Sequence, residues 1–344
     1  MTNIRSEARG GLVIVWGPPS HGPRSRILAA GLEMDVVFVH RTRRRGLLAA
    51  PMKYPYQAVE TLRLLRRRRP DLIVVQSPPS LAAWTVALYA RRAGVPFVID
   101  AHTDALLTPY WTWPRWLTRR VARRAAATLV TNVHLAGIVR SWGARAIVVP
   151  DVPVELEAGS APERDDRFTV TVVSSFGPDE PLSAILEAAA RLPDVAFLVT
   201  GSLTADRGRR PASVPPNVRF TDYLPDPTYH GLLRSSDAVL CLTTRDHTMQ
   251  RGACEALAMG TPIITSRWPV LEEHFHKGAV HVDNSPEGIR DGVDAVRAEP
   301  ERLRREVVEL RDEHRRHWDR VRVTLLRDLV GSDDRSRSVP AEGR

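Results

Sequence analysis

The stretch DHTMQRGACEALAMGTPII, residues 246–264, decides the reading of this 344-residue chain. A polar run with His247 and Arg251 leads into a short helical pattern around Glu255 and closes on Gly260. Thr261 and Pro262 then turn into an apolar strand beginning at Ile263. A helix N-terminus presents unpaired amides at the positive end of the helix dipole, and anions gain there from both. Gly252 and the amides after it therefore form a candidate diphosphate site, with Arg245 and Arg251 as neighbouring cations. Glu255, about one turn further in, can accept hydrogen bonds from neutral hydroxyls such as a ribose diol.

Around this stretch the apolar runs alternate with helical patterns. In the C-terminal half the strands are TVTVVSS, AFLVTG, NVRFTDY, AVLCLTT, TPIITS and AVHVDN, with helices at 181–192, 227–235 and around Glu255. In the N-terminal half they are LVIVW, DVVFVH, DLIVVQ, PFVIDAH, ATLVTN and AIVVP, with helices at 56–69 and 81–94 among others. Such a succession predicts an α/β protein of two doubly wound Rossmann-like domains facing a cleft. The expected boundaries are an N-terminal domain at 1–150, a linker at 151–167 and a C-terminal domain at 168–300. A helical segment at 301–330 and a disordered tail at 331–344 complete the chain.

The apolar fraction of 43% suits a globular protein, and no apolar run reaches the roughly 20 residues that span a bilayer. Cys241 and Cys254 read as small core residues. With too short an apolar run for a signal-peptide core near the start, a cytoplasmic protein is expected. The net charge of +9 is uneven: residues 1–150 hold 23 Lys and Arg against 7 Asp and Glu, while the remainder carries −7. Basic runs at 41–56 and 62–70 suggest contact with an anionic membrane surface. No nucleic-acid-binding module accompanies the charge, so nucleic acid is not an expected partner.

Gly17, Gly22 and Gly31 miss the G-x-G-x-x-G spacing, which removes the main support for hydride transfer. Arg24 and Arg26 are available to an anionic substrate. In FVIDAHTDALLTPYW, His102 follows a strand and can touch a transferred group, with Asp100 or Asp104 to orient it. Ser77, Asn132 and His134 follow other strand ends. Asp100, His102 and Asp104 form no closed ligand set, and no metal is expected.

HTMQRGACEALAMGTPII, from His247, resembles the E-x7-E and A-x-x-x-G-x-P-V/I signature of the GT-B glycosyltransferases, most closely retaining family 4. The resemblance is most specific over residues 221–284. It implies a nucleoside diphosphate sugar bound by the C-terminal domain, no separate cofactor, and transfer with retention to an acceptor hydroxyl. A glycan or lipid-linked acceptor, and a peripheral place at the inner face of the membrane, fit the basic N-terminal half. Glu255 matches the second Glu, and His102 matches a loop His that contacts the transferred sugar. His247 stands where the family carries its first Glu. The family also carries an Arg and a Lys for the donor phosphates, where this chain has Ser174, Ser175, Asp179 and Glu180. These departures leave two alternatives open: a sugar-nucleotide epimerase, or a catalytically weakened GT-B partner in a glycan-assembly complex.

Overall fold

The computed structural model describes residues 10–18, 23–40, 50–150, 152–153, 156–161, 166–201 and 213–330. The basic residues at 41–49, part of the expected linker and the tail at 331–344 lie outside the described residues. The chain divides into two units, one of Met1–Val152 with Trp318–Arg344 and the other of Pro153–His317.

The first unit runs β1 (Gly11–Val15), α1 (Pro23–Gly31), β2 (Asp35–Phe38), α2 (Ala50–Arg68), β3 (Leu72–Ser77), α3 (Ser80–Ala93) and β4 (Phe97–Ala101). Three short helices follow, α4 (Thr103–Leu107), α5 (Pro109–Thr112) and α6 (Arg115–Ala122). β5 (Ala127–Val130), α7 (Val133–Ser141) and β6 (Ala146–Val148) complete the series. The six strands are parallel, in the order β2-β1-β3-β4-β5-β6. Every residue of β3 and β4 is buried, as a parallel sheet covered on both faces requires. Alternation along β1 serves both faces. Leu12 and Ile14 join one core, and Val13 and Val15 join the other. The sequence pattern predicts a helix at 56–69. The helix instead begins at Ala50 and carries Pro55 inside, with Tyr54 stacked on Trp16 at 6.2 Å.

The second unit runs β7 (Phe168–Val172), α8 (Leu182–Ala190), β8 (Val195–Thr200), β9 (Val218–Asp222), α9 (Asp226–Ser235) and β10 (Ala238–Cys241). It continues through α10 (Arg251–Met259), β11 (Ile263–Ser266), α11 (Pro269–His274), β12 (Ala279–Val282) and α12 (Pro286–Ala298). Its parallel sheet has the order β12-β11-β10-β7-β8-β9. The long α13 (Pro300–Val330) serves both units. Leu303, Val307 and Leu310 enter cores of the second, and Trp318 and Leu325 enter a core of the first.

Both units are doubly wound and Rossmann-like. Strand order reverses between β1 and β3 in the first and between β7 and β10 in the second. At such points successive crossovers diverge and leave a crevice at the carboxyl ends of the strands.

Candidate active site

In the second unit, α10 starts where β10 leads out of the sheet. Gly252 to Leu257 are all buried. A Cβ on Gly252 would stand 2.6 Å from Val173 Cγ1 and 3.0 Å from Cys241 Sγ. The missing side chain thus lets the helix begin directly against the ends of β7 and β10, a packing role that the sequence did not reveal. Gly260 ends the helix in the left-handed region at φ 77°, which glycine adopts without a Cβ clash.

Glu255 is buried one turn into α10. The Tyr229 hydroxyl, from α9, donates to its Oε2 at 2.8 Å, and Arg251 Nε lies 2.8 Å from its Oε1. Burial, reinforced by the Glu255 charge, pushes the Tyr229 hydroxyl well above its usual range, so it stays a donor. A carboxylate has about four acceptor positions, and these two contacts leave others for a diol. Arg251 is therefore engaged with Glu255 and does not serve an anion alone.

The loop after β10 is anchored at Thr243. Its N–H donates to Ser266 Oγ at 2.9 Å, and its hydroxyl donates to Asp179 Oδ2 at 2.9 Å. Its carbonyl accepts from Trp268 Nε1 at 2.9 Å and Asn284 Nδ2 at 3.0 Å. Arg245 follows as an exposed residue whose backbone N–H donates to Thr243 Oγ1. His247 has φ 58°, a left-handed conformation costing about 1 kcal/mol or more outside glycine. Its N–H donates to Asp246 Oδ1 at 2.5 Å, and its Nε2 lies 3.3 Å from Asp246 Oδ2. Asp246 thus holds both the backbone and the ring of its neighbour.

Across the switch point, the loop after β7 is occupied by a carboxylate. Glu180 accepts from the Ser174 hydroxyl at 2.5 Å, the Ser175 hydroxyl at 2.7 Å and the Ser175 N–H at 3.0 Å. Where the resemblance implies cations facing a phosphate, this chain uses an acid to order two serines and an amide. Cys241 lies nearby; burial, followed by the Glu180 charge, pushes its thiol up to about 12.

His102 belongs to the first unit, whereas Arg245, His247, Arg251, Gly252 and Glu255 all belong to the second. His102 is the N-cap residue of α4, directly after β4. Its backbone N–H donates to Ser77 O at 2.9 Å. Its Nε2 lies 3.4 Å from Asp100 Oδ2, near enough for charge attraction, yet neither buried atom has an aligned hydrogen bond. Arg24 Nε lies 3.3 Å from Asp100 Oδ1, and Arg24 also donates to the carbonyls of Val149 and Pro150. Burial acts to raise the Asp100 pKa, but Arg24 and then His102 outweigh it and hold the carboxyl at about 2. Arg24, expected to meet substrate, instead braces Asp100 behind His102. Asn132 likewise caps α7, its side chain accepting from Leu135 N–H at 3.0 Å. Among the described residues, no group of three or more His, Cys, Asp or Glu side chains is arranged to hold a metal.

Both halves of the chain match known proteins. Residues 6–153 match the family model Glycosyl transferase 4-like domain, and residues 180–324 match the model Glycosyl transferase-like. The GDP-mannose-dependent alpha-(1-6)-phosphatidylinositol dimannoside mannosyltransferase of Mycobacterium tuberculosis is 32% identical over 299 residues, covering 79% of this chain and 76% of that protein. The MMP alpha-(1->4)-mannosyltransferase of Mycolicibacterium hassiacum is 26% identical over 248 residues, covering 63% of this chain and 58% of that protein. Among solved structures, Anabaena HepE in complex with UDP and glucose shares the fold with a TM-score of 0.66 at 13% identity, over 95% of this chain and 100% of that one. The sucrose-phosphate synthase of Thermosynechococcus elongatus does so with a TM-score of 0.67 at 13% identity, over 95% and 99%. The chain belongs to the GT-B glycosyltransferases that carry a glycosyl transferase 4-like N-terminal domain.

Proposed function

We propose that this chain moves a hexose from a nucleoside diphosphate sugar to the hydroxyl of a glycan or lipid-linked acceptor, with retention at the anomeric carbon as in family 4. The observation that carries the donor assignment is the buried Glu255, its two oxygens oriented by Tyr229 and Arg251 beside the start of α10. In this reading Glu255 accepts from the ribose diol, and the first amides of α10 with Arg245 and Arg251 face the diphosphate. As the bond to the anomeric carbon breaks, negative charge grows on the leaving diphosphate, where preoriented amides and arginines lower the barrier. His247, steadied by Asp246, donates to the transferred sugar. In the same reading His102, backed by Asp100, contacts the transferred sugar. The acceptor proton passes to the departing diphosphate, so no separate base is required. The mycobacterial relative is named for GDP-mannose and a phosphatidylinositol dimannoside, which makes GDP-mannose the first donor to test. A cytoplasmic enzyme working peripherally at the inner face of the membrane fits such an acceptor.

Calorimetric titration of the full chain with GDP, UDP, GDP-mannose and UDP-glucose tests the reading. One nucleotide should bind, and one sugar conjugate of it should bind more tightly. His247→Ala should weaken the conjugate more than the free nucleotide; equal weakening of both removes its sugar contact. A second reading, a GT-B partner protein weakened in catalysis, draws on Glu180 occupying the Ser175 amide. It would be favoured by donor binding without transfer across a broad acceptor screen. Donor isomerised in the absence of acceptor would instead indicate an epimerase.

A further inference from the structure

Residues 105–150 contain seven arginines and no aspartate or glutamate. Within that span, Tyr110, Trp113 and Trp116 are 53%, 76% and 67% exposed. Large aromatic rings clustered in solvent mark a surface that meets something apolar. On α6 the two sides are distinct. Leu117, Val121 and Ala122 pack into the core, while Trp116, Arg119, Arg120 and the following Arg123 face out at helical spacing. Beside α6 a recess of about 180 Å³ is lined in part by Arg115, Arg119, Thr112 and Leu106. Thr118 also lines it, and its Oγ1 is buried without a partner.

We propose that the α5–α6 surface docks this enzyme on an anionic lipid bilayer. Tyr110, Trp113 and Trp116 enter the headgroup layer, where amphipathic rings are favoured at both their apolar and polar edges. Arg115 and Arg119 take a lipid phosphate at the recess, and Arg120, Arg123 and Arg124 lie along neighbouring phosphates. Guanidinium groups suit this, because their planar fork matches phosphate oxygens and they are weakly hydrated. The complete lack of acid over the span favours an anionic surface over a mixed-charge protein face. The site differs from the basic runs at 41–56 and 62–70 that the sequence singled out. His102 caps α4, which leads straight into α5, so docking here brings the strand-end site toward the lipid boundary. The surface deepens the reading of a lipid-linked acceptor, but its test is independent of any transfer activity.

The experiment is flotation of the full-length protein with phosphatidylcholine vesicles, with and without phosphatidylglycerol, at rising salt. Binding should require phosphatidylglycerol and weaken with salt. Trp113→Ala with Trp116→Ala, and separately Arg119→Gln with Arg120→Gln, should each lower vesicle partitioning roughly tenfold. All four side chains are exposed, and unchanged melting temperatures confirm the fold. Arg66→Gln with Arg67→Gln, at the end of α2, should leave partitioning unchanged. An equal loss there would overturn the proposal in favour of a diffuse field from the whole basic half. Parent-like binding by the tryptophan pair would overturn it as well. Displacement of protein from vesicles by inorganic phosphate at matched ionic strength would identify a free-anion site and sink the lipid assignment.

Discussion

Glu255 is oriented before any ligand arrives, because the Tyr229 hydroxyl and the Arg251 guanidinium each take one oxygen. Tyr229→Phe removes one donor and leaves a buried carboxylate oxygen short of a partner, a change of about 1–3 kcal/mol. Nucleotide affinity should fall roughly tenfold, with little effect on the preference for one sugar conjugate over another. Calorimetry on both ligands checks this, and a selective loss of the conjugate would count against the ribose role of Glu255. Asp100 offers a second prediction. Its folded pKa of about 2 lies below the unfolded value, so it stabilises the fold above about pH 4 and loses that contribution as pH falls toward 2. Asp100→Asn should cost about 2 kcal/mol at neutral pH, and the gap to the parent should close below about pH 4. Chemical unfolding across that range measures it; a gap independent of pH would mean that the charge is not what matters. His247 and Glu255 are singled out as candidates in the sequence because a local motif marks them. Tyr229 and Arg24 were not legible as partners, lying 26 residues from Glu255 and 76 from Asp100.

The decisive element is α10, set against two strand ends by the bare Cα of Gly252. Gly252→Ala would place a methyl within 2.6 Å of Val173 and force helix and strand apart. Overpacking of this kind costs about 1–3 kcal/mol. Donor affinity should fall together with thermal stability. An alanine variant of parental stability and affinity would mean that the contact is readily relieved. The loop after β7 gives the opposite expectation. Glu180→Gln keeps the shape but removes a negative charge from the amide and hydroxyls of Ser174 and Ser175. Where donor phosphates approach that loop, affinity for a nucleoside diphosphate should rise severalfold, as like charge is removed. A fall would show that Glu180 orders the loop for binding. Sequence patterns found all twelve strands of the described residues but overran several ends. AVLCLTT promised a strand to residue 244, yet β10 stops at Cys241, because Thr243 bonds to Ser266 and Asp179 side chains instead of a neighbouring strand.

At the scale of the whole molecule, the two units should respond differently to acid. In the second, His274 is buried with Nε2 unpartnered, its ring centroid 4.3 Å from that of His314. Burial, followed by His314, His276 and His317, holds His274 well below the usual histidine range. Burial, then His276 and His317, holds His314 at about 4. Unfolded histidines titrate near about 6.5, so between there and about 4 the unfolded chain binds more protons and folding weakens as pH falls. The first unit's Asp100 loses its contribution only at lower pH. Hydrogen exchange read by peptide should therefore show the second unit losing protection first on acidification, and His274→Gln should delay that loss. Earlier loss in the first unit would refute the assignment.

The sequence by itself determined the two parallel α/β series, the helix and turn around Glu255, and the cationic N-terminal half. These depend on periodicity, turn chemistry and charge within short windows of chain. Only the tertiary structure decided that Gly252 is a packing contact, that Arg24 braces Asp100, that Glu180 fills the Ser175 amide, and that α13 supplies both units. It also decided that three aromatic rings near α6 are left in solvent. Each of these depends on which distant surface a side chain meets once the sheets are covered, and no local pattern encodes that.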